Sequence, residues 1–64
     1  MNTDLWMIDD QRILDRRLGV WWTYADGRLT FTSIDGVLRM EIIIDAAGVW
    51  KFLIANALDV RKGY

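Results

Sequence analysis

Sixty-four residues without cysteine, histidine or proline make at most one small domain, 1–64. That composition excludes disulfides, zinc sites built from thiolate and imidazole ligands, and nucleophiles activated by histidine. A formal net charge of −1 lacks the basic excess that phosphate binding draws on, and no apolar run nears the ~20 residues of a membrane span.

The first segment is read as a helix over about 4–18. Thr3 stands as its N-cap, aspartates lie early, Arg16 and Arg17 lie late, and Gly19 follows as the C′ residue. Met7, Leu14 and Leu18 form its apolar stripe, with Trp6 and Ile13 beside it. A competing reading makes Leu5–Ile8 a short strand that turns at Asp9-Asp10. Asp4, Asp9 and Asp10 around Leu5-Trp6-Met7-Ile8 give no basic-then-apolar leader pattern, and the expected location is cytoplasmic, in a cell or an infected host.

The middle segment predicts a three-stranded antiparallel meander over about 19–45. Asp26-Gly27 and Asp35-Gly36 each suit a two-residue hairpin turn in which both central residues have positive φ. Two such turns imply the rows Val20–Ser33–Leu38, Trp22–Phe31–Met40 and Tyr24–Leu29–Ile42 on one face. The opposite face then carries Trp21–Thr32–Arg39 and Thr23–Thr30–Glu41. One face is apolar, the other threonine and charge.

A closing helix is expected over about 46–62, from Asp45 as N-cap to Gly63 as C′. Val49, Leu53, Ala57 and Val60 would lie on the sheet. Trp50, Ile54 and Leu58 widen that stripe beyond what one sheet contact requires. The fold class expected is therefore α+β, in the order α-β-β-β-α. That order is similar to the one found in double-stranded RNA-binding domains. Those domains place several lysines at the start of the closing helix, whereas this one begins Ala46-Ala47-Gly48-Val49-Trp50, so no site residue carries over.

Little catalytic chemistry is on offer. Ser33 has no histidine to activate it and reads as a small residue at a strand end beside a turn. Asp9 and Asp10 would diverge by about 100° on a helix and read as a solvated acidic turn. No calcium loop or glycine-rich phosphate loop is present, and no cofactor, metal or catalytic residue is expected.

Protein association is the favoured function. A chain this short leaves about 40% of its unfolded surface exposed, and small domains usually need disulfides, metals or partners. With 53% apolar residues and four tryptophans, the expectation is a non-catalytic interaction module that self-associates as a dimer or binds a protein target. Trp50, Ile54, Leu58 and Phe52, with Trp6 at the margin, are the expected contact. Such a stoichiometric binder would regulate or inhibit another macromolecule, as phage-encoded accessory proteins do. The alternative is a nucleic-acid-binding regulator that uses Trp21, Arg39 and Arg28 on the polar sheet face, or Arg12, Arg16 and Arg17.

Overall fold

Alternation of buried and half-buried residues dominates the chain in the computed structural model, which describes residues 2–62. These residues form β1 (Asn2–Asp9), β2 (Arg12–Asp15), β3 (Val20–Ala25), β4 (Arg28–Ser33), β5 (Arg39–Ile42), α1 (Ala46–Asn56) and β6 (Ala57–Asp59), then a 3-10 turn over Val60–Lys62. The strands make one six-stranded sheet in the order β5-β4-β3-β2-β1-β6, antiparallel throughout except that β6 runs parallel to β1. The expected three-stranded meander between two helices is thus overturned. The meander is half of a larger mixed sheet, and α1 is the α-helix among the described residues.

The amino-terminal helix is replaced by a hairpin. Leu5 and Met7 are buried with half-buried Trp6 between them, and Ile13 and Asp15 repeat the pattern around Leu14. That is the period of a strand. The acidic and basic residues that resemble helix-end signals serve turns instead. Asp9 accepts a hydrogen bond from the Gln11 amide at 2.8 Å and pairs with Arg12 at 2.8 Å. Thr3 lies within β1, and Gly19 takes φ +68° to close the turn between β2 and β3, donating its amide to the Asp15 carbonyl.

In the central strands the pairings Val20–Ser33, Trp22–Phe31, Tyr24–Leu29, Phe31–Met40 and Leu29–Ile42 are those predicted from the turns. The first turn has positive φ at both Asp26 and Gly27. The second does not: only Gly36 is left-handed, and Asp35 organises the loop by accepting from the Ser33 hydroxyl and the Val37 amide. The register survives because Ser33 still donates its amide to the Leu38 carbonyl.

The closing helix stops at Asn56, whose side-chain amide donates to the Phe52 carbonyl at 2.8 Å. Ala57–Asp59 then extend along β1, so a tertiary pairing overrides the helical pattern that continued to residue 62. Gly63, the expected C′ residue, lies outside the described residues. Asp45 does stand at the N-cap position, yet its backbone is left-handed (φ 51°) and its side chain makes no capping bond. An ideal Cβ on Gly48 would fall 2.3 Å from that exposed carboxylate, which is free to swing aside. Alanine in a helix interior gains about 0.5–1 kcal/mol over glycine. Gly48→Ala should therefore raise the melting temperature by about 3–6 °C in a circular-dichroism melt; a fall would mean that the Asp45 carboxylate is held in place.

The core lies where α1 crosses the sheet. Leu5, Met7, Ile13, Leu29, Trp50, Leu53 and Ala57 are buried there, with Trp22, Tyr24, Ile42, Ala46 and Val49 against them. Coverage is uneven along the helix-side row Met7–Ile13–Trp22–Phe31–Met40. Ile13 is fully buried, whereas Met40 at the far edge is 50% exposed. One short helix spans about 16 Å, while six strands are about 24 Å across, so α1 cannot cover the whole face.

Candidate interaction surface

The structure scatters the residues of the expected helix contact. Trp50 points inward, is 6% exposed and stacks on Tyr24 with ring centroids 5.6 Å apart. Its burial removes it from any contact with a second chain. Phe52 (65% exposed) and Ile54 remain on the outer side of α1. Leu58 is not on the helix; it sits in β6, opposite Trp6 of β1. The Trp50–Ile54–Leu58 arc therefore does not exist as one surface, because the helix ends before Leu58 and turns Trp50 into the core.

On the side of the sheet away from α1, one row, Leu58–Trp6–Leu14–Trp21–Thr32–Arg39, runs through all six strands. Both tryptophans lie under arginines. The Arg12 guanidinium is 5.3 Å from the Trp21 ring, and that of Arg16 is 4.4 Å from the Trp6 ring. Such pairs shield an aromatic from water without a covering layer. Arg12 rather than Arg39 covers Trp21, and Arg39 sits farther out on β5. Arg28 and Arg39 line a shallow groove with Thr23, Ala25, Asp26, Thr30, Thr32 and Glu41, where two carboxylates balance two guanidiniums. Arg17 lies exposed in the turn between β2 and β3.

Asp9, Asp10, Asp35 and Asp59 are tied to neighbours. Backbone donation from Gln11, then the Arg12 guanidinium, lowers the Asp9 pKa, and the Ser33 hydroxyl and the Val37 amide lower that of Asp35. Arg61 pairs with Asp59 at 2.8 Å and with Asp10, which links the β1–β2 turn to the 3-10 turn and raises the arginine's pKa. Ser33 acts as a turn residue: its hydroxyl oxygen accepts the Leu38 amide at 2.9 Å and donates to Asp35 at 2.6 Å. Among the described residues no group of three acidic side chains could hold a metal ion. No helix there is long and apolar enough to cross a membrane.

Among the described residues, six of the nine exposed large apolar side chains lie in or beside β5, a concentration that sequence reasoning missed. Ile34, Val37, Leu38, Met40, Ile43 and Ile44 are all exposed, Val37 to 86% and Ile44 to 85%. They fall within one short stretch that flanks and includes the outer strand. A signal for it was present in Ile42-Ile43-Ile44, since three successive aliphatics cannot all face a core through a period-two strand. Comparison of the chain with protein-family models, curated proteins and solved structures finds no match.

Proposed function

We propose that this protein is a non-catalytic protein–protein interaction module whose contact surface is the β5 edge and its apolar surround. The observation that supports the reading is the run of exposed aliphatics from Ile34 to Ile44. A concentration of exposed aliphatics beside an unpaired strand favours a protein partner over water. The proposed contact thereby shifts from the outer helix to the sheet edge. The role is that of a small regulator or inhibitor acting by stoichiometric binding, in a cytoplasmic setting that suits a chain without cysteine. Nucleic acid has weaker support, because Arg12 is engaged by Asp9 and Trp21 and the Arg28/Arg39 groove is charge-balanced.

A photo-reactive amino acid placed at Val37, with a control at Thr30 on the open face, tests this reading in the native host. We expect protein adducts from position 37 alone. The captured protein, once identified and purified, should bind the unmutated chain and lose at least about tenfold in affinity with Ile44→Asp, an unpaired charge in an apolar contact. Adducts at position 30 that contain nucleic acid, or no adduct at position 37, would overturn the proposal.

A further inference from the structure

The outer strand also specifies a partner by its chemistry, and this step rests on the reading of the β5 edge as a protein-binding surface. Ser33 donates its amide to the Leu38 carbonyl, and the Phe31–Met40 and Leu29–Ile42 pairs continue that alternation. The backbone groups of Leu38, Met40 and Ile42 thus face β4, and those of Arg39 and Glu41 face away from the sheet. Natural edges are usually blunted by shortness, charged side chains, proline, a bulge or a covering element; β5 has the first two, being four residues long with Arg39 and Glu41 among them. β5 has no proline or lysine, its register with β4 has no shift, and Val37–Glu41 are exposed throughout. Among the described residues neither Arg39 nor Glu41 has an ion-pair partner.

We infer that the partner is a second copy of this chain, paired antiparallel through β5 about a two-fold axis at Met40. An axis perpendicular to the sheet keeps the helix-side faces together only if some residue lies opposite itself. With Arg39 on the axis, two guanidiniums meet. With Glu41 there, two carboxylates meet. With Met40 on the axis, Arg39 of each chain lies opposite Glu41 of the other, Leu38 lies opposite Ile42, and Val37 lies opposite Ile43. Opposed charges in directly facing positions favour a strand pair, and like charges disfavour it. In the same register the outward amides of Arg39 and Glu41 each find the other's carbonyl. The result is a continuous sheet through both copies, with Leu38, Met40 and Ile42 forming an apolar seam on the helix side.

Sedimentation equilibrium on purified protein tests the register. The unmutated chain should sediment at twice its 7.5 kDa mass. Arg39→Glu and Glu41→Arg should each weaken the dimer by about tenfold or more, since each sets like charges opposite one another across the axis. An equimolar mixture of the two variants should restore the dimer, because every facing pair is again of opposite sign. If either single variant fails to fold, the Arg39→Glu/Glu41→Arg double variant still decides the matter: it should dimerise with itself and not with the unmutated chain. An unmutated monomer up to about 1 mM, a dimer indifferent to both substitutions, or a mixture that does not recombine would overturn self-pairing. A monomer whose probe at position 37 still captures a foreign protein overturns self-pairing alone, and one that captures none overturns the wider reading with it.

Discussion

Trp50→Ala is expected to cost about 3–5 kcal/mol, the usual loss on truncating a core aromatic. A chain of this length holds only about 3–10 kcal/mol in total, so much or all of its folded population should disappear. The cause lies within one chain. The indole is 6% exposed, stacks on Tyr24 and shares the core with Leu5, Leu29 and Leu53. Urea denaturation followed by circular dichroism reads the loss directly. Phe52→Ala, two residues along on the exposed side of α1, is the control and should change stability by less than about 0.5 kcal/mol. A Trp50→Ala chain that stays folded with only its association weakened would mean that the indole serves a second chain after all.

Asp15→Ala should be nearly as damaging, for a different reason. This carboxylate is the buried charged residue of the described structure, at 7% exposure, and it answers two donors at once. Its Oδ1 accepts the Leu18 amide at 3.0 Å and its Oδ2 accepts the Trp22 indole N–H at 3.2 Å. Removing it strands both donors, and hydrogen bonds to a charged acceptor are worth about 1.5–3 kcal/mol each. The two losses share one group and will not simply add, so we expect about 2–4 kcal/mol in the same urea experiment. Asp15→Asn is the informative companion. Its carbonyl can serve one donor, but its amide must then face the other N–H, so it should recover no more than half of the loss. A cost below about 0.5 kcal/mol for the alanine variant would show that the carboxylate holds nothing in place.

The central strand register was legible because two Asp-Gly turns and the segregation of faces had to agree, and few alternatives satisfied both. The flanking elements were not legible, for two physical reasons. Around Asp9, Asp10, Arg16, Arg17 and Gly19, the residues that suit the ends of a helix are the same ones that suit tight turns. Only the two-residue burial of Leu5, Met7, Ile13 and Asp15 tells them apart. At Ala57–Asp59 the strand exists because β1 offers an edge, and no local propensity records such a pairing. The candidate site suffered from both errors. Leu58 left the helix with the misplaced boundary, and Leu38, Met40 and Ile42 were assigned to a covered face because two helices were expected over the sheet. With one short helix present, that face is left bare at β5 and becomes the surface of interest.

The parallel contact between β1 and β6 has a consequence for how the chain is made. The antiparallel neighbours β1 to β5 can zip together hairpin by hairpin as they leave the ribosome, each closure needing only a short loop. Trp6, however, meets Leu58, nearly the whole described chain away, and only after α1 has crossed the sheet. Until then the nascent sheet has two open sides, β1 on one and β5 on the other. High sequence separation makes the closing of β1 the expected slow step. Once β6 is seated, the sheet ends in β5 on one side and in the three-residue β6 on the other, so the order of synthesis itself delays the moment at which the two ends of the sheet become distinguishable to a neighbour.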